Sequence, residues 1–324
     1  MKRKFLICLC IGLFSIIPIS STQAMQFAVI SDVRVAALDN VLEFIKFQGI
    51  DLILLPGDFY YDGQEYYPHF EKFGFDVSPE KTPDGQNLYF ALGNHDAPPT
   101  GDDIFVETIA PWYPANGPAL APRGTVFSFD RDDCHFVITN PYWRYPSGGY
   151  TDEQLEWIEQ DLRASTRTFK FVFGHEPAFP LSRHIGDSLD ANPVNRDRFW
   201  QILKDNGALA FFCGHTHNLS HSIKNGVYQI DNGEVRGGGP INVTLVDVIG
   251  DKATVKSYQT DGSVPETEKN ADVTNDLVVQ TNIDATVRPA DSNAPEVLFS
   301  AGSADEGRFG KFCFIGSILP DKNE

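Results

Sequence analysis

Residues 88–96 read Leu88-Tyr89-Phe90-Ala91-Leu92-Gly93-Asn94-His95-Asp96. Five apolar residues stop at a glycine, and three side chains able to hold a metal or a proton follow at once. A short apolar run closed by a turn residue reads as a fully buried strand. In open α/β sheets the carboxyl ends of such strands are where ligands bind. The same pattern recurs along the chain: 26–30 leads to Ser31-Asp32, 52–55 to Gly57-Asp58, 169–173 to Gly174-His175, and 209–212 to Gly214-His215.

Helical periodicity fills the space between these runs. Leu38, Val41, Leu42 and Ile45 share one face of a helix that stops at Gly49. Thr151 and Gln154 form a capping box ahead of Leu155, Ile158 and Leu162. Asn192 and Pro193 suit the start of a helix that ends at Gly207. The runs 126–129 and 135–139, joined by Asp132-Asp133, read as antiparallel strands, and further strands are expected at 220–223, 227–230, 241–248 and 253–258. The alternation predicts an α/β fold. Past Gly262 the chain turns polar: 263–276 reads as a linker, and 277–280, 297–300 and 312–315 as strands of a small C-terminal β appendage.

Composition narrows the function classes. The chain has 324 residues, 42% hydrophobic and 22% charged, so disorder and coiled coil describe it poorly. A formal charge of −18 repels nucleic acid and excludes it as an expected partner. Lys2, Arg3 and Lys4 precede an apolar run over 5–19, and small residues lead to Ala24. Residues 1–24 therefore read as a secretory signal peptide cleaved after Ala24. The expectation is an exported protein, periplasmic or extracellular, free of the membrane after cleavage and monomeric. Residues 25–262 would form the main domain and 263–324 the linker and appendage. Cys8 and Cys10 leave with the signal. Cys134, Cys213 and Cys313 allow at most one internal disulfide, and Cys213 reads as a buried thiol.

Asp, Asn and His are the oxygen and nitrogen donors that suit zinc, iron and manganese. Each motif alone reads as a turn or a helix cap. Five of them behind five strands point to one site, and a shared Asp can bridge two cations roughly 3.5–4 Å apart for displacement at phosphorus.

The ordered set Ser31-Asp32, Gly57-Asp58, Gly93-Asn94-His95-Asp96, Gly174-His175-Glu176-Pro177 and Gly214-His215-Thr216-His217 closely resembles the calcineurin-like metallophosphoesterase superfamily over about residues 26 to 260. The resemblance implies a four-layer α/β/β/α sandwich of two mixed sheets. Most of that superfamily carries His two residues after the first Asp. Here the position is Arg34, which stays protonated and cannot ligate a metal. Purple acid phosphatases also lack that His and supply a Tyr three residues after the bridging Asp, where this chain has Tyr61. Val172-Phe173-Gly174-His175 looks like their fourth motif, and His184 matches a second active-site His of the small mammalian-type enzymes, although they carry Gly where Arg34 stands. Tyr61 is either that ligand or an aromatic wall of the pocket, and the remaining reading is a crippled first metal site.

Carried over position by position, the resemblance implies a first site of Asp32, Tyr61 and His217, a second of Asn94, His175 and His215, and Asp58 between them. It implies two metal ions, iron with a second iron, zinc or manganese. His95 would contact phosphate and protonate the leaving oxygen, assisted by His184. Arg34 either contacts a phosphate oxygen or forms a structural ion pair. The function so implied is a metal-dependent phosphoric ester hydrolase, acid phosphatase-like, in which hydroxide activated by the cations attacks a small phosphomonoester in line. A phosphodiesterase acting on nucleotides or cyclic nucleotides, and a non-catalytic binding protein on the same fold, remain the alternatives. His69, His135 and His221 read as surface or core histidines, and Trp112, Tyr142, Trp143 and Tyr145 as packing aromatics.

Overall fold

The computed structural model describes residues 25–59, 66–96, 109–144, 148–181, 183–236, 241–260, 272–280 and 296–301. The short apolar runs become the strands β1 (Met25–Val29), β2 (Ile53–Pro56), β3 (Leu88–Ala91), β6 (Phe169–Phe173) and β7 (Ala210–Cys213). β4 (Phe127–Arg131) and β5 (Cys134–Ile138) form the expected hairpin, with Asp132 at φ 52 in its two-residue turn. β8 (Leu219–Lys224), β9 (Val227–Asn232), β10 (Ile241–Ile249) and β11 (Lys252–Thr260) complete the main strands.

Two mixed sheets result. One runs β12-β11-β10-β1-β2-β3 and the other β13-β8-β9-β7-β6-β5-β4, where β12 is Asp272–Gln280 and β13 is Glu296–Ala301. β1, β2 and β3 are parallel, as are β5, β6, β7 and β9. The late strands therefore differ from the expected appendage: β12 extends the first sheet beside β11, and β13 extends the second beside β8. The expected linker ends early, because Asp272 to Asp276 already belong to β12. Exposed edge strands offer unpaired backbone groups, so a following chain segment can add to them despite its polar composition. The expected strand at 312–315 and the signal segment 1–24 lie outside the described residues.

The sheets meet through aromatic rings. Phe27 on β1 lies 5.2 Å from Phe171 and 5.3 Å from Phe136, ring centroid to centroid, and within 6.3 Å of Phe173 and Phe212. Strand alternation turns Val137, Val172 and Phe211 to the opposite face, where they pack with Leu155, Ile158 and Leu162 of α3 (Asp152–Ala164) and Phe199, Trp200 and Leu203 of α4 (Pro193–Asp205). On the other sheet, Phe44 of α1 (Val35–Phe47) meets Tyr258 of β11 at 5.4 Å, with α2 (Tyr67–Lys72) beside α1. This is the expected layered sandwich. Phe27→Ala empties the contact between the sheets, and its expected cost is ~3–5 kcal/mol of unfolding free energy by chemical denaturation. A cost below ~1 kcal/mol would deny Phe27 that place.

The helix caps agree with the sequence in part. Asn192 Oδ1 accepts from Asn195 N at 3.3 Å, and Thr151 Oγ1 accepts from Gln154 N at 3.1 Å. The reciprocal half of the Thr151 box is absent. The Gln154 amide turns inward, donates to Asn140 O at 2.8 Å and accepts from Asn140 N at 2.9 Å. A buried backbone amide has a stronger claim on it than an exposed helix end does. Cys134 and Cys213 are buried free thiols, and Cys313 lies outside the described residues. Among the described residues no helix is long and apolar enough to cross a membrane.

Candidate metal centre

Every sequence-predicted site residue that the structure describes comes to one place, at the carboxyl ends of β1, β2, β3, β6 and β7. Asn94 Oδ1 lies 3.0 Å from His175 Nε2 and 3.0 Å from His215 Nδ1, and the two nitrogens are 3.2 Å apart. Ligand atoms about 2.0–2.2 Å from a shared ion stand about 3–3.5 Å from one another. Two imidazole nitrogens and an amide oxygen crowded round one point are reconciled by a cation or by a shared proton. The residues therefore fit a metal. His175 is oriented for it, because its Nδ1–H donates to Pro56 O at 2.9 Å and turns Nε2 inward. Asp58 Oδ2 follows at 3.4 Å from His175 Nε2, and donor atoms of Asp32, Asp58 and His175 all lie within 4.8 Å of one another.

Asp32 also pairs with His217, whose Nε2 lies 3.3 Å from Asp32 Oδ1. Tyr61, the expected third member of that half-site, lies outside the described residues. His95 sits at the cleft mouth with its side chain 45% exposed, and its backbone N–H donates to Asp58 Oδ1 at 3.0 Å. The His184 ring lies against His215, centroids 4.0 Å apart and planes tilted by 34°. Together with Arg34 and Arg183, these residues line a cleft of about 310 Å³.

The backbone is bent to achieve this. Asp32, Asp58, His184, His215 and His217 have φ between 50 and 70, in the left-handed region that non-glycine residues seldom adopt. Such strain persists where surrounding structure enforces it, and it clusters at functional sites. Glycine supplies the clearance. A Cβ on Gly93 would land on Asp58 Oδ1, and one on Gly57, at φ +92, would stand 2.5 Å from His175 Nδ1.

Charge is balanced by protons when no cation is present. Burial disfavours a charged His175, but the carboxylates of Asp58 and Asp32 outweigh it and raise the group to about 10. Burial likewise opposes a charged His217; contacts with Asp32 and Glu234 favour it and raise it to about 9 when Nδ1–H faces Glu234, whereas an Nδ1 lone pair turned to Arg183 leaves the ring neutral. Burial and the charge on His175 push His215 down to about 3, so one proton serves the facing pair. Burial alone would raise Asp58, yet the His175 charge holds it well below the usual carboxylate range. Cation uptake at neutral pH must displace these protons.

Three residues have roles that the sequence did not assign. Asp96 closes the Gly93 motif: its Oδ2 accepts from Asp58 N at 2.6 Å and Gly93 N at 2.8 Å, and burial with the Asp58 charge raises it to about 8. Arg183 precedes His184 and places Nη1 3.1 Å from His217 Nδ1. Glu234, 1% exposed, places Oε2 3.0 Å from the same nitrogen. Its signal was present, since Asn232-Gly233-Glu234 follows an apolar run as the five motifs do. The remaining histidines are structural among the described residues. His69 pairs with Asp39 at 2.6 Å, His135 sits between Asp130 and Asp161, and buried His221 contacts Ser257 at 2.6 Å. Tyr142 is buried, Trp143 half-buried and Trp112 39% exposed, while Tyr145 lies outside the described residues.

Comparisons with known proteins bear on the family and the fold. Purple acid phosphatase 17 of Arabidopsis thaliana is 27% identical over 195 residues, 53% of this chain and 54% of that protein, so the chain spans about half the length of the relative it matches. A dimetal phosphatase from Danio rerio shares the fold with a TM-score of 0.57 at 13% identity, covering 79% of this chain and 98% of that one. Purple acid phosphatase PPD1 from yellow lupin does so at 0.57 and 13%, covering 80% and 54%. GAP50, the anchor in the inner membrane complex of Plasmodium, does so at 0.55 and 15%, covering 79% and 89%. The calcineurin-like phosphoesterase family model matches residues 25–219, which carry all five strand-end motifs, and the chain belongs to that family.

Proposed function

We propose that the chain is an exported dinuclear-metal phosphoesterase acting on small phosphomonoesters. The observation that carries this reading is the convergence of Asn94 Oδ1, His175 Nε2 and His215 Nδ1 within 3.2 Å of one another beside a buried carboxylate. Asn94, His175 and His215 would hold one cation, Asp32 and His217 with Tyr61 the other, and Asp58 would be shared. Such a pair supplies Lewis acidity at phosphorus and lowers the pKa of water toward neutrality. The remaining steps belong to side chains. Arg34 and Arg183 offset the charge of the bound phosphate in the cleft they line. His95, exposed above Asp58, gives its proton to the leaving oxygen. His184 braces the His215 ring by a tilted ring contact. Export rests on the character of residues 1–24.

The test is turnover of a generic aryl phosphate before and after chelation, with metal content measured in parallel. No metal and no turnover at any pH would leave the second reading, a binding protein on the same fold. That reading is favoured by Arg34, a permanent cation where most of the family places an imidazole.

Tyr61 has its own readout. A phenol ionises only near pH ~10, but a trivalent iron beside it holds it deprotonated at neutral pH. The iron-loaded protein is expected to be violet to pink, and Tyr61→Phe to bleach it while the Asn94, His175 and His215 site keeps its metal. Iron-containing yet colourless protein would rule Tyr61 out and favour zinc or manganese.

A further inference from the structure

His217 meets opposite demands at one ring nitrogen. Its Nδ1 faces Arg183 Nη1 at 3.1 Å and Glu234 Oε2 at 3.0 Å. A guanidinium only donates and an ionised carboxylate only accepts. As a lone pair Nδ1 can accept from Arg183, and as N–H it can donate to Glu234, but it cannot do both. Arg183 holds the hydrogen-bonding direction in the structure, while Glu234 Oε2 is close but off the line of the ring N–H.

The choice is felt across the ring. A neutral imidazole carries one proton. If Nδ1 accepts from Arg183, that proton sits on Nε2, which points at Asp32 Oδ1 3.3 Å away and so closes the place of a cation. If Nδ1–H turns to Glu234, Nε2 presents its lone pair beside Asp32.

Backbone bonds hold Glu234 in place for this. Val235 N donates to Asp32 O at 3.3 Å, Arg34 N to Val235 O at 2.7 Å, and Asn242 N to Glu234 O at 3.0 Å. The segment that carries the carboxylate is thus joined to the strand end that carries Asp32. At 1% exposure the Glu234 side chain cannot turn to water instead.

We propose that Glu234 promotes and Arg183 opposes cation binding at the Asp32–His217 half-site, through their opposite demands on His217 Nδ1. Both are positioning residues. The inference rests on the two-cation reading above, but its test needs no turnover. Metal-stripped wild type, Glu234→Ala, Glu234→Gln and Arg183→Met are titrated with zinc, and the equivalents bound and the imidazole N–H proton resonances are followed.

Glu234→Ala is expected to weaken the second equivalent by ~10–100-fold, to lose one such resonance, and to leave the first equivalent unchanged. Glu234→Gln keeps an acceptor oxygen and recovers most of the affinity. Arg183→Met is expected to tighten the second equivalent by about tenfold, the worth of one charge-assisted hydrogen bond. Opposite signs from two neighbours of one nitrogen are not what loss of structural support produces. Weakening by both substitutions, no change in either, or a wild type that binds a single zinc each overturns the proposal. Zinc shifts as expected in a protein without turnover would sink the phosphoesterase reading and leave this assignment standing.

Discussion

His95→Asn is expected to retain both metals and lose ~10²–10⁴-fold in rate on esters whose leaving group needs a proton. The side chain stands at the cleft mouth, outside the cluster of converging donor atoms, and its Nε2 is 4.0 Å from Asp58 Oδ2. It can therefore move a proton without being held by a cation. The backbone N–H of residue 95, which donates to Asp58 Oδ1, survives the substitution, so the Asp58 carboxylate keeps its support. A nitrophenolate leaving group departs without a proton, and for it the loss is expected to be small. Rates for a series of aryl and alkyl phosphates check this. Equal losses for good and poor leaving groups would remove His95 from the role of acid.

Asp58→Ala is expected to take the metal content from two ions to one or none and to lower turnover by ~10³-fold or more, since cation stabilisation of the transition state is worth several kcal/mol. Asp58 is 1% exposed, with Oδ2 3.4 Å from His175 Nε2, and is the carboxylate proposed to be shared by the two cations. Burial alone would favour its protonated form, and the His175 charge keeps it ionised. Elemental analysis beside circular dichroism separates loss of metal from loss of fold. Two tightly held ions in the folded variant would show that Asp58 does not bridge.

The route from sequence to site was short for one half and broken for the other. Asn94, His175 and His215 each follow a short apolar run and a glycine, and parallel pairing brings the ends of β6 and β7 together within one sheet while β3 ends in the other. Register acts within each sheet, β2 with β3 and β6 with β7, and the packing of one sheet on the other joins the two groups of strand ends into a cluster. For the first half-site, sequence offered Asp32 and His217 and the anomaly of Arg34. It offered no reason to single out Arg183, and the strand-end place of Glu234 did not show that both reach His217, from different segments. Gln154 makes the same point on a smaller scale: local pattern assigned it to a capping box, and a buried amide at residue 140 drew it away.

What the sequence determined by itself was the order of strands and helices, the apolar faces that must be buried, and which strand ends carry metal-binding chemistry. These follow from periodicity and residue type, which act over a few neighbours along the chain. Tertiary structure alone decided where the late strands go, since β12 and β13 join sheet edges built mainly by earlier segments. It alone decided the left-handed backbone at Asp32, Asp58, His215 and His217, which packing enforces against intrinsic preference. And it alone set Arg183 and Glu234 against each other at one nitrogen of His217, because hydrogen-bond demands between distant segments exist only once the fold has brought those segments within about 3 Å.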